Sequence, residues 1–90
     1  MLSLWKGEVE IQPISMRDIA CRVAERHGLT VDDLRGSDRT KRVAWPRQEA
    51  MAAIRETGRY SLPRIGKFFN RDHTTVIHAV RRVAERTDAG

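Results

Sequence analysis

Asp72, His73, Thr74 and Thr75 put a carboxylate, an imidazole and two hydroxyls side by side, and His78 follows five positions after the first histidine. Three chemistries are open to such a set. A hydrolytic centre would add Ser61 as nucleophile to Asp72 and His73. Neighbouring residues at a helix start point in different directions, and no nucleophile-elbow sequence accompanies them, so the chain is not expected to be an enzyme. A metal site built on His73 and His78 fails on angle. Five residues turn about 500° around a helix, so the rings diverge, whereas a spacing of four brings them together. No metal or other cofactor is expected. The third chemistry is recognition of a nucleic acid. Aspartate accepts from a cytosine amino group, and threonine offers its methyl to thymine or its hydroxyl to a base or phosphate. A helix N-terminus also favours a phosphate. A carboxylate in a polyphosphate field needs a reason, either a base contact or a helix cap, and the two are compatible.

These residues need a helix start to carry them. From Asp72 onward Val76, Ala79, Val80, Val83 and Ala84 form an apolar stripe, with Arg71, His73, Thr74, Thr75, His78, Arg81 and Arg82 opposite. Upstream, Ser61-Leu62-Pro63 opens a shorter helix holding Ile65, Gly66 and Phe68, with serine as N-cap and proline at the second helical position. Phe69-Asn70-Arg71 is the tight turn between them, and asparagine suits a left-handed turn position. A short helix, a tight turn and a second helix with a polar first turn make a helix-turn-helix pattern.

The rest of the chain reads as helices that support this pair. Ser15 and Asp18 form a capping box. Met16, Ile19, Ala20, Val23 and Ala24 then repeat at helical spacing, with a stop near His27 and Gly28 and Cys21 beside the stripe as a small apolar residue. Thr30 caps a short turn of helix from Val31 to Leu34. Gly36 to Arg42 is polar and basic, so it reads as a loop. Pro46 marks the first turn of a further helix, which carries Val43, Ala50, Met51, Ala53 and Ile54 and stops at Gly58. The expected fold is all-α, with about five helices including the short one. A leader of residues 1–13 has no clear period, a helix-turn-helix domain covers 14–87, and 88–90 form a tail.

Composition narrows the partner. The chain has 90 residues, 17 Lys plus Arg and 12 Asp plus Glu, for a formal charge of +5. That length allows one domain with a thin core. Residues 1–34 hold 4 basic and 6 acidic side chains, while residues 35–90 hold 13 basic and 6 acidic ones. The later part is thus the electrostatic footprint, and a polyanion is its natural partner. Aromatic residues make up only 6%, too few for the stacking platforms of a single-strand binder. No apolar run approaches the ~18 residues of a membrane span, no secretory signal is visible, and one cysteine fits a reducing cytosol. Arg39 and Lys41 stand on the basic loop, where an arginine suits insertion into a narrow minor groove.

SLPRIGKFFNRDHTTVIHAVRRV at 61–83 resembles the signature of the C-terminal DNA-binding domain of the DnaA family of bacterial replication initiators. WPRQEAM at 45–51 is similar to that family's helix start, and the spacing back through RTKRVAWPRQ to Arg39 agrees. The resemblance covers about residues 14–85. It implies an all-helical domain that binds double-stranded DNA at short asymmetric sites of the TTATNCACA type. It places Arg39 in the minor groove and Asp72, His73 and Thr74 on base edges in the major groove. Leu62 and Pro63 would meet thymine methyls or the nearby backbone. Arg47, Gln48, Arg55, Thr75 and His78 would hold phosphates, with Lys41 and Arg71 as helpers on charge grounds.

The sequence departs from the family pattern at three points. Asn70-Arg71 replaces a glycine-containing turn, Trp45 stands where a basic or small residue is common, and Gly58 stands where a polar phosphate contact occurs. No ATP-binding motif is present. A cytoplasmic, nucleoid-associated monomer is expected that occupies such sites without ATPase activity and regulates initiation. The full initiator or its regulators would be second partners. The alternative is a protein-interaction module or a transcriptional regulator, with Trp5 of the leader or the face of the first helix docking on a partner.

Overall fold

A computed structural model describes residues 15–89. Five helices follow one another: α1 Met16–Arg26, α2 Val31–Arg35, α3 Lys41–Glu56, α4 Leu62–Phe68 and α5 His73–Ala89. The described residues contain no strand, so the fold is all-α. The leader read over residues 1–13, with Trp5, lies outside the described residues. α5 continues through Ala89, into the segment read as a tail. No described helix is long and apolar enough to cross a membrane.

Local signals fix most of the boundaries. The Ser15 hydroxyl accepts from the Asp18 amide at 3.1 Å, and the Asp18 carboxylate accepts from the Ser15 amide. Thr30 and Asp33 repeat this reciprocal cap on α2. Each box satisfies two of the backbone donors that a helix start leaves open. α1 and α3 each end before a glycine with positive φ, Gly28 at 69° and Gly58 at 71°. On α4 the Ser61 hydroxyl accepts from the Arg64 amide, and Pro63 sits in the first turn.

The start of α3 corrects the expectation. The helix begins at Lys41, five residues before Pro46, and Pro46 lies inside it and is buried. The proline N–H that would pair with the Arg42 carbonyl is missing. Burial outweighs that loss, because Val43, Ala50, Met51 and Ile54 share one buried stripe and Val43 belongs to the core only if the helix is already formed there. The turn that leads in is built by Asp38, whose Oδ1 accepts from both the amide and the hydroxyl of Thr40 at 2.8 Å. The Thr40 carbonyl then accepts from Val43 and Ala44.

α3 is the central element and packs against all four others, while α4 also packs on α5 and α2 on α1. Leu34, Val43, Met51, Ile54, Ile65, Phe69 and Val76 are fully buried between them. Full burial of such side chains contributes about 1.5–3 kcal/mol each before entropy is counted. On α5 the buried stripe is Val76 and Ala79, with Val80 and Val83 half-buried; Ala84, expected inside, is exposed. Cys21 packs half-buried against the core. His27 contacts Glu49 of α3 at 2.6 Å and ties α1 to α3.

The crossing of α4 and α5 is close enough to require glycine at 66. A Cβ there would lie 2.7 Å from the Arg71 carbonyl oxygen and 3.2 Å from the backbone of Asp72 and His73. Backbone cannot step aside cheaply, so Gly66→Ala should destabilise the fold by about 1–3 kcal/mol, the usual cost of forced overpacking. Urea unfolding of the two proteins measures this, and equal midpoints would show that the crossing tolerates a Cβ.

Candidate nucleic-acid interface

α4 and α5 form a helix-turn-helix whose turn is held by backbone. Phe69 closes α4, Asn70 takes φ 58°, and the Arg71 amide donates back to the Gly66 carbonyl at 2.8 Å. Asparagine tolerates that left-handed geometry, which is why no glycine is needed there. Asp72 then stands immediately before α5. Its Oδ1 accepts from the Thr74 amide at 3.2 Å and from the Thr74 hydroxyl at 3.0 Å. The same oxygen lies 2.8 Å from Nδ1 of His73, so Asp72 and His73 meet rather than diverge as the sequence suggested. The Thr74 amide, then its hydroxyl, and to a lesser degree His73 hold the Asp72 carboxyl below the usual carboxylate range. Ser61, the third member of the discarded hydrolytic set, uses its hydroxyl to cap α4.

Asp72, His73, Thr74, Thr75, His78, Arg81 and Arg82 are all exposed. The N-terminal turn of α5 therefore offers a carboxylate, an imidazole and two hydroxyls to a partner, followed by cations farther along. Leu62 is half-buried and Pro63 exposed at the start of α4. Arg55 is exposed at the end of α3 and reaches the Tyr60 carbonyl at 3.5 Å, in the turn that leads into α4.

The basic loop between α2 and α3 is fixed against the helix-turn-helix by a set of side chains that the sequence presented as surface charge. Arg47 is only 5% exposed. Its Nε donates to the Leu34 carbonyl at 2.6 Å, and its Nη2 donates to the carbonyls of Gly36 and Asp38 at 3.2 and 2.8 Å. Arg71, from the turn, donates through Nη2 to the same Gly36 carbonyl at 2.8 Å and through Nη1 to the Phe69 carbonyl at 2.7 Å. Both were expected at phosphates. Arg47 is buried, and its Nε and Nη2 together serve three main-chain carbonyls. Arg71 is half-buried and largely committed in the same way. Burial, then the neighbouring Arg71, pushes the Arg47 pKa down, and Asp38 opposes that shift.

Arg35 and Asn70 complete the junction. Arg35 Nε donates to the Phe68 carbonyl at 2.6 Å, with its guanidinium 4.9 Å from the Phe68 ring centre. Asn70 Nδ2 donates to the Arg35 carbonyl at 3.1 Å. Sequence reasoning missed Arg35, since nothing local distinguishes it from a solvated arginine at a helix end. Arg39 is exposed on this anchored loop and lines a shallow cleft with Arg35, Ser37, Asn70 and Arg71. Lys41 and Gln48 lie elsewhere, in a cleft between α3 and α5 that Arg82 also lines. The predicted residues thus fall on the first turns of α5, the turn before it, the start of α4, the anchored loop, and α3 from Lys41 to Arg55.

Comparison with known proteins agrees with this architecture. The family model described as the bacterial DnaA protein helix-turn-helix matches residues 16–83. The chain is 45% identical over 73 residues to the chromosomal replication initiator protein DnaA of Deinococcus radiodurans, covering 81% of this chain and 16% of that protein. It is 45% identical over 83 residues to the protein of the same name from Thermus thermophilus, covering 91% of this chain and 18% of that protein. The chain therefore spans less than a fifth of the length of these curated relatives.

The Asp72 cap has a pH signature. A carboxyl held low in the folded state contributes stability that is fully present above its unfolded value, near ~3.9, and is lost as pH falls through the lower folded value. Thermal melts should show the wild type more stable than Asp72→Ala near neutral pH, with the gap narrowing in the acid range below pH ~4. A gap of constant size down to strong acid would mean that the carboxylate does not cap α5.

Proposed function

The chain belongs to the family of bacterial DnaA helix-turn-helix domains, and we propose from that premise that it binds double-stranded DNA at DnaA-box-type sites. The observation that carries the reading is the pairing of two exposed elements on one rigid support. The start of α5 displays Asp72, His73 and Thr74, and the loop that displays Arg39 is bonded to the turn just before them. A recognition helix reads base edges with its N-terminal residues, while an arginine on an adjacent arm suits a narrow minor groove.

Roles follow from chemistry. Asp72 caps α5 through Oδ1 and accepts from a cytosine amino group through Oδ2. His73 and Thr74 face neighbouring bases, and Leu62 and Pro63 lie against thymine methyls or the backbone. Lys41, Gln48, Arg55, Thr75 and His78 hold phosphates and set register without reading sequence. Asp72 engages His73 and Thr74 before any DNA arrives, so the reading surface is preorganised and less ordering entropy is lost on binding.

The regulatory consequence is part of the proposal. Copies of these 90 residues would occupy a box through the helix-turn-helix alone. Produced in excess in cells, the chain would compete for boxes with an initiator and delay replication initiation. Unchanged origin number in an overproducing strain would count against this part.

Box binding is tested by fluorescence anisotropy with a box duplex and a scrambled duplex at ~150 mM salt. A preference of at least tenfold, about 1.4 kcal/mol, is expected. Arg39→Ala or Asp72→Ala should erode that preference by about 1–3 kcal/mol per good base contact. Arg55→Ala should weaken both duplexes alike. Equal binding of the wild type to both duplexes would sink the proposal.

A further inference from the structure

We propose that the cleft between α3 and the C-terminal half of α5 is a second phosphate track, which takes the DNA backbone beyond the recognition sequence. The inference rests on the duplex-binding reading above and deepens it by naming where the backbone runs after leaving the start of α5. Thr75, His78, Arg82 and Arg86 recur at steps of three, four and four residues, so they form one stripe along α5. Lys41, Trp45 and Gln48 recur at steps of four and three along α3. The two stripes meet: Lys41, Trp45, Gln48, Arg82 and Arg86 line a single cleft. The stripe therefore starts at residues assigned to phosphates, Thr75 and His78, and ends at two further cations, Arg82 and Arg86, beside Lys41.

Three features suit this cleft to a polyanion. Among the described residues no carboxylate lines it, and Glu85 lines an adjoining depression with Trp45, Arg82 and Arg86. The Arg86 guanidinium lies 4.1 Å from the Trp45 ring centre. Stacking on a flat ring holds the planar fork in place and does not use its N–H donors, so less side-chain entropy is lost when it binds an anion. Gln48 lines the cleft with its amide oxygen buried and without a partner. Its amide NH2 is a donor, and phosphate oxygens accept from donors. Trp45 departs from the family pattern, and the cleft explains what a tryptophan does there, since its ring is the platform on which Arg86 stacks.

The length fits a strand better than an isolated ion. Eight residues separate His78 from Arg86, about 12 Å along the helix. One strand of a duplex presents a charge every ~3.4 Å of its axis. The track therefore spans more than one phosphate, which a free anion would not exploit.

The test is anisotropy against salt, using a minimal box duplex, the same box lengthened by several base pairs on either side, and a scrambled duplex of the longer length. Arg82→Ala/Arg86→Ala is compared with the wild type and with Arg17→Ala/Arg22→Ala, which removes equal charge from α1. All four positions are exposed, and thermal melts check folding. The wild type should bind the lengthened box more tightly than the minimal one, and the α5 double variant should lose that gain. Its salt slope should flatten by about two, while its ratio of box to scrambled affinity stays unchanged. Arg86→Lys should restore charge but only part of the gain, since an ammonium lacks the stacked fork. An α5 double variant with an unchanged slope and unchanged gain from length, or one matched by the α1 control, would overturn the proposal. The slope on scrambled DNA is informative even if box preference is absent, so failure of box reading and failure of the track are separable.

Discussion

Two guanidinium groups converge on the carbonyl oxygen of Gly36, Arg47 from α3 at 3.2 Å and Arg71 from the helix-turn-helix turn at 2.8 Å. This is the constraint on which the rest of the interface depends. Gly36 opens the loop that carries Arg39, so one oxygen joins the central helix, the turn and that loop. Two like charges close together are unfavourable, and a buried arginine is costly unless its donors are used. Here the donors meet main-chain carbonyls and Asp38 offsets part of the charge. Removing one partner would leave buried acceptors unpaired, at about 1–3 kcal/mol each.

The turn is built so that this junction sits at a fixed distance from the start of α5. Gly66 lets α4 approach the Arg71–His73 backbone, Asn70 supplies the left-handed step, and Phe69 anchors the turn in the core. Arg35 and Asn70 then bond across to α2 and α4 in both directions. An exposed loop of charged residues would ordinarily be mobile, and an arm that must be ordered on binding loses affinity. Here the loop backbone is bonded at the Gly36 and Asp38 carbonyls and the Thr40 amide.

Much of this was legible in the sequence because it is local. The capping box at Ser15, the Thr30 cap, the glycine stops and the Ser61-Leu62-Pro63 start each need only residues within a few positions, and each appears as read. The helix-turn-helix was legible for the same reason. The start of α3 was not, because Pro46 is a strong local start signal and the gain that overrides it, burial of Val43, is tertiary. The carbonyl bonds of Arg47 and Arg71 were not legible, because an arginine in a basic segment has the same local signature whether it faces solvent or caps carbonyls far along the chain. Asp72 and His73 meet through a shared first turn, which a rule about neighbouring helix positions does not anticipate at a capping residue. The cleft of Trp45 and Arg86 joins residues 41 positions apart in sequence, beyond any local pattern.

The central claim is that the loop and the recognition helix act as one reading head because Arg71 ties them together. A double-mutant cycle on box discrimination tests it most directly, with wild type, Arg39→Ala, Arg71→Met and the double variant compared by the ratio of box to scrambled affinity. Loosening the loop should already waste most of what Arg39 contributes, so the two losses should be less than additive, with a coupling of about 0.5–3 kcal/mol. Losses that add to within ~0.3–0.5 kcal/mol would mean that Arg39 reads its groove independently of the clamp, and would contradict the claim.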